Sequence, residues 1–89
     1  MSGAPARDWC VYILLCSDGS LYTGISNDVA RRLEAHRKGR GAKYFRGRRP
    51  QRLLFVEAGH SRSSASSREM EIKKLRREDK LRLIEKGRG

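Results

Sequence analysis

From Trp9 to Cys16 the chain reads WCVYILLC, an apolar run long enough for a strand; Leu21 to Ile25, LYTGI, is a second one. The four residues between them, SDGS, carry the Asp-Gly pair of a tight hairpin. Two registers are open. With a two-residue loop, Asp18-Gly19, Tyr12 and Tyr22 fall on opposite faces. With a three-residue loop, Ser17-Asp18-Gly19, Gly19 takes the left-handed bulge position and Tyr12 opposes Gly24. The second register puts Val11, Ile13, Leu15, Leu21, Thr23 and Ile25 on one face. Tyr12, Leu14, Cys16, Tyr22 and Gly24 then share the other. It separates the residue types better and is the one expected. It also gives Gly24 a purpose, because no side chain crowds the neighbouring tyrosine.

The period then changes. NDVARRLEAHRKG, residues 27–39, has its apolar stripe at Val29 and Leu33, one helical turn apart. Asn27 or Ser26 serves as cap, Asp28 suits the first turn, and Gly39 ends the helix. RLLFVEA, residues 52–58, has four successive apolar residues and predicts a central strand buried on both faces. A helix over 65–77, capped by Ser63 or Ser64, groups Ala65, Glu69, Ile72 and Leu75 in one arc. A last helix over EDKLRLIEKG buries Leu81 and Ile84. The expected order is β-β-α-β-α-α, a small α/β (α+β) domain with a three-stranded, mainly antiparallel sheet flanked by helices. Residues 1–8 read as a flexible lead, 9–86 as the domain and 87–89 as a tail.

Composition narrows the classes. A chain of 89 residues with 37% hydrophobic content holds one modest core. No stretch approaches a membrane span, and the opening MSGAPARDW lacks a signal peptide's apolar segment, so a cytoplasmic protein is expected. Cys10 and Cys16, six apart with no second pair, read as small core residues, not as a disulfide or zinc site.

The chain is strongly basic. Lys and Arg number 21 against 10 Asp and Glu, a net charge of +11. RKGRGAKYFRGRRPQR, residues 37–52, holds eight of the cations and no acid. Such a surface attracts phosphate backbones. Glycines and Pro50 interrupt the segment, so it forms no amphipathic helix for a membrane surface. Lys38, Arg40, Lys43, Arg46, Arg48 and Arg49 are therefore candidate nucleic-acid contacts.

Glu69 is the sharpest single position. A carboxylate in the middle of an inward arc needs a partner. An arginine, water at the edge of the arc, or a bound cation would each serve. Arg32 and His36 lie one turn apart beside the first helix's apolar stripe. Arg32 reads either as surface decoration or as a phosphate clamp. His36 reads as a half-buried histidine, a phosphate ligand or a proton carrier.

These residues also form a pattern. CVY at 10–12, YTG at 22–24, NDVARRLEAH at 27–36, GAKYFRGRRP at 41–50 and ASSREMEIKKLRREDK at 65–80 together resemble the GIY-YIG nuclease superfamily, closest to its small single-domain UPF0213 (YhbQ-like) group. The resemblance implies a metal-dependent endonuclease that hydrolyses DNA phosphodiesters, in repair or processing. It makes Tyr12 and Tyr22 the two motif tyrosines, Arg32 the helix arginine and His36 the position one turn later. Glu69 becomes the sole protein ligand of one divalent cation, Mg²⁺ or Mn²⁺. Tyr12 would then take a proton from water, which requires positive charge to lower its pKa. Departures are Cys10 for the motif glycine and Val11 and Thr23 for isoleucine. The alternative implied by the basic face is a non-catalytic module binding DNA or RNA. A monomer or weak homodimer is expected either way.

Overall fold

The structure, a computed structural model, describes residues 7–40, 45 and 47–88. Most of the expected lead, together with Lys43 and Arg46, lies outside the described residues. Strands β1 (Trp9–Cys16), β2 (Leu21–Ser26) and β3 (Pro50–His60) and helices α1 (Val29–Arg37), α2 (Arg62–Lys73) and α3 (Arg77–Arg88) follow in the expected order β-β-α-β-α-α. All strand pairs are antiparallel.

The hairpin takes the three-residue loop. Gly19 N–H donates to the Cys16 carbonyl at 2.9 Å, and Gly19 has φ of 83°. Tyr12 then opposes Gly24, and Leu14 opposes Tyr22. Both faces follow from that register. Val11 and Ile13 join Phe55, Ala65, Ile72 and Ile84 in one buried cluster, so α2 and α3 cover this side. Tyr12, Leu14, Cys16 and Phe45 form the other, under Val29 and Leu33 of α1.

The sheet order β2-β1-β3 corrects one expectation: β1, not β3, is the central strand. Val11 to Leu14 are at most 1% exposed, while Leu53 and Val56 of β3 remain 42% and 45% exposed. Leu53 and Val56 stand beside Leu14 and Tyr12. α1, with nine residues and only Val29 and Leu33 as large apolar side chains, is too short to shelter all three strands on that face. A register shift opposite Ile13 and Leu14 lets adjacent Leu54 and Phe55 both serve the helix-covered face. An apolar run of four therefore marked a bulged edge strand.

Helix ends differ in instructive ways. α1 is capped by Asp28, whose Oδ1 accepts from Arg31 N–H at 3.1 Å, while Ser26 Oγ accepts from Asp28 N–H at 2.9 Å. Gly39, with φ of 74°, ends it; its N–H donates to the His36 carbonyl and that of Arg40 to Ala35. α2 starts earlier than expected because Ser61 and Ser64 form a reciprocal capping box. It ends at Lys73, leaving Leu75 outside the helix and 37% exposed. In α3, Ile84 is buried at 5%, but Leu81 is 43% exposed and Leu83 packs on the core instead. The helix takes in Gly87 and Arg88, where the sequence placed a tail.

Candidate functional site

The tyrosine face meets α1 in an aromatic cluster. Tyr12 is 1% exposed, and its Oη lies 3.0 Å from Nε2 of His36, itself 2% exposed. Tyr22 sits beside both, with ring centroids 6.2 Å from Tyr12 and 5.5 Å from His36. Phe45 stacks on His36 at 4.2 Å and meets Tyr22 edge-on at 4.9 Å. His36 reaches the cluster because Schellman-type bonds close α1 one residue beyond Arg37, holding the last turn against the sheet. Cys10 stands on the same face of β1 as Tyr12, opposite Ser26, and is half-buried. Thr23 is buried on the other face and stays clear of the tyrosines.

Burial sets the protonation states. It pushes the Tyr12 phenol well above its ordinary value; Tyr22 and Glu69 add to the shift and Arg32 opposes it. Burial also lowers the His36 pKa; the Arg40 backbone partly offsets this, and Arg32 reinforces it. At neutral pH both groups are uncharged. We assign Tyr12 Oη–H as the donor to Nε2, which puts the ring proton on the buried Nδ1. This reverses the expectation of a Tyr12 pKa lowered by nearby positive charge. Desolvation outweighs Arg32.

The reversal yields a prediction. The unfolded chain protonates His36 near pH 6.5 while the folded ring resists until lower pH. Its contribution to stability is thus complete above about pH 6.5 and is lost as pH falls below it. Phe45→Leu opens one face of the ring to water, raising the folded pKa toward the ordinary value and flattening this acid limb. Urea unfolding from pH 8 to 5, with NMR titration of the His36 ring, measures both. An unchanged His36 midpoint would show that Phe45 does not set its solvation.

The structure brings Tyr12, Tyr22 and His36 together and sets Arg32 and Glu69 within electrostatic reach of Tyr12. Arg32 is exposed on α1. Glu69 comes from α2, the helix packed on the opposite face. Its side chain is 19% exposed and pairs with Lys73 Nζ at 3.4 Å, a lysine where the expected partners were an arginine, water or a cation. Among the described residues no three His, Cys, Asp or Glu side chains gather as a metal site. A lone carboxylate suits Mg²⁺ only with waters and substrate phosphate oxygens completing the shell. The donor set fits a cation on those terms.

Among the basic candidates, Lys38, Arg40 and Arg49 are exposed. Arg48 is tied to the hairpin turn: its Nε meets Asp18 Oδ2 at 2.5 Å. Asp18 is held down at a pKa of about 2 by the Ser20 hydroxyl and backbone N–H and then by Arg48. Ser17 N–H donates to the Arg49 carbonyl, and Arg49 N–H to Ser17 Oγ. Neither the place of Phe45 in the cluster nor the Asp18–Arg48 pairing was expected from the sequence. The signal for Phe45 was an aromatic pair, Tyr44-Phe45, set within a segment of eight cations. His60 is structural, bridging Glu57 at 2.8 Å and Ser64 at 2.9 Å beside the α2 cap.

Residues 8–82 match the GIY-YIG catalytic domain. The chain belongs to the GIY-YIG family. Within it, UPF0213 proteins of Staphylococcus aureus are 54% identical over 74 residues, covering 83% of this chain and 90% of theirs. The solution structure of a UPF0213 protein from Bacillus halodurans is 49% identical, covers 89% of this chain and 85% of its own, and superposes with a TM-score of 0.56. A protein from E. faecalis is 36% identical over 97% of this chain and 90% of its own, with a TM-score of 0.61. Membership supports a nucleic-acid-related function in general. Among the described residues no helix is long and apolar enough to cross a membrane.

Proposed function

We propose that the chain binds nucleic acid through the basic surface around the tyrosine face, chiefly by phosphate contacts. The net charge of +11, with exposed Arg31, Arg32, Lys38, Arg40 and Arg49 on α1 and the segments beyond it, carries this reading. Counterion release makes such binding salt-dependent, with log affinity falling by about 0.7–0.9 per phosphate contact for each tenfold rise in salt. Fluorescence anisotropy with single-stranded and duplex DNA and RNA, from 50 to 200 mM salt, tests it. Weak binding that ignores salt counts against it.

A second reading, a metal-dependent DNA endonuclease, is favoured by the Tyr12–His36 hydrogen bond beside Arg32 and Glu69. A divalent cation, Mg²⁺ or Mn²⁺, held by Glu69 would stabilise charge on the phosphate and its leaving oxygen. Arg32 would donate to the non-bridging oxygens. Tyr12 would accept a proton from water only while passing its own to His36 Nε2, because its free phenolate is disfavoured. Tyr22 would help position the phosphate. Tyr12 is sealed at 1% exposure, so the cluster must open before water reaches it. That closure is why binding stands first. Incubating single-stranded, duplex, flap and nicked DNA with and without Mg²⁺ separates the two readings. Metal-dependent cleavage abolished by Glu69→Ala establishes the endonuclease; intact binding without cleavage establishes the module.

A further inference from the structure

β3 pairs with β1 along one side only, and among the described residues no strand pairs with its outer edge. At 11 residues it is the longest of the three strands. A free edge of that length is a template for another strand unless proline, charge or a bulge blunts it. β3 has all three, in Pro50, Arg52 and the shift at Leu54, so their placement decides what the edge admits. Leu53 and Val56 stand beside Leu14 and Tyr12 on the tyrosine face, 42% and 45% exposed. Arg52 and Glu57 stand beside Leu15 and Val11 on the helix-covered face. In a regular strand positions 53 and 56 would fall on opposite faces, and so would 52 and 57. The extra residue at Leu54 brings each pair onto one face. From either end, residues 52–57 therefore present the same pattern: a charge, an apolar side chain, the bulged Leu54-Phe55, an apolar side chain and the opposite charge.

We propose that β3 pairs antiparallel with β3 of a second copy of this chain, about a two-fold axis between Leu54 and Phe55. Leu53 then opposes Val56 of the second copy and Arg52 opposes its Glu57, and the symmetry repeats both contacts. Opposed residues of an antiparallel pair must share a face, and here they do so only because both strands carry the bulge. A strand of unrelated sequence would match neither the apolar pair nor the order of charges, which singles out a second copy. Arg52 is exposed. Glu57 is held by Arg68 and His60 yet keeps 32% of its side chain open, and a carboxylate accepts from several donors. The two copies form one six-stranded sheet, β2-β1-β3-β3-β1-β2. Both tyrosine faces then look the same way, with their β1 strands roughly 14 Å apart. A two-fold contact of this kind closes on itself and stops at two chains. One strand edge is a small interface, and two chains of net charge +11 repel, so the dimer is weak and forms at high protein concentration. The pairing needs no nucleic acid.

Sedimentation equilibrium from micromolar to millimolar protein, without nucleic acid, tests this on the parent, Arg52→Glu, Leu53→Lys and Met70→Lys. The parent's mass should rise from one chain toward two. Its amide NMR shifts should move with concentration chiefly at residues 52–57. Arg52→Glu lowers the net charge by two, from +11 to +9, so bulk repulsion alone would strengthen association. Set against Glu57 of the second copy, the new carboxylate should instead weaken it by about tenfold or more. Leu53→Lys and Met70→Lys each place one added charge at an exposed apolar position, the first on β3 and the second on α2. Leu53→Lys should weaken association by a similar factor, and Met70→Lys should leave it near the parental level. A parent that stays one chain at millimolar concentration, or a mass that climbs past two chains, overturns the pairing. Concentration-dependent shifts centred outside β3 do the same. So does an Arg52→Glu protein that associates as well as the parent or better, or equal weakening by Leu53→Lys and Met70→Lys.

Discussion

Gly24→Ala is expected to destabilise the domain by about 1–3 kcal/mol, the usual cost of overpacking a filled core. A Cβ at this position would sit 2.6 Å from Tyr12 Oη, 2.7 Å from its Cζ and 2.9 Å from Tyr22 Cε2. None of these atoms has a cheap escape. Tyr12 is 1% exposed and anchored to His36, and Tyr22 is wedged between His36 and Phe45. For a chain of this size the loss corresponds to roughly 4–8 °C in melting temperature for each kcal/mol. Urea unfolding should show a lower midpoint at unchanged slope. The His36 ring resonances should shift as well, because the only way to admit the methyl group is to move Tyr12. A variant with parental stability and an unmoved His36 would mean that the strands part easily here, contrary to the packing described. Backbone conformation plays no part, since Gly24 lies in regular strand geometry; the glycine is required by close approach alone.

Tyr12→Phe separates structure from chemistry. It keeps the ring but leaves Nε2 of His36 buried without a donor, an unsatisfied acceptor costing about 1–3 kcal/mol. Nucleic-acid binding should change little, because a 1% exposed side chain makes no contact at the surface. If the domain is an endonuclease, cleavage should fall by about 10²–10⁴-fold, the scale of a lost proton-transfer group. His36 supplies an independent readout. Without the phenol its neutral form loses a hydrogen bond, so its NMR-measured pKa should rise relative to the parent. Parental cleavage by a folded Tyr12→Phe protein would remove Tyr12 from the chemistry. A parental His36 titration would show instead that the hydrogen bond does not set the ring's state.

Much of this was legible in the chain. The register of SDGS could be chosen because only the three-residue loop sorted apolar side chains from tyrosines, and Gly19 adopts the left-handed conformation that loop requires. Arg32 and His36 could be grouped by helical spacing alone. Other features were not local. LLFV in β3 has the composition of a buried central strand, yet it forms a bulged edge, because strand order depends on which helices cover which face. Glu69 could be placed in an inward arc, but not on the partly buried flank of α2 where Lys73 meets it. Phe45 meets Tyr22 across 23 residues and Arg48 meets Asp18 across 30, and no periodicity reports such pairings.

Element order, the two-faced hairpin, the need for glycine opposite Tyr12 and the excess of positive charge are all readable along the chain. These follow from side-chain alternation, turn chemistry and counting, all properties of neighbouring residues. The character of the tyrosine site comes from packing in three dimensions. Packing of Phe45 and α1 over Tyr12 and His36 removes water from both, and desolvation then overrides the nearby arginine. A chain read in one dimension carries the charges, but the dielectric around them exists only after folding.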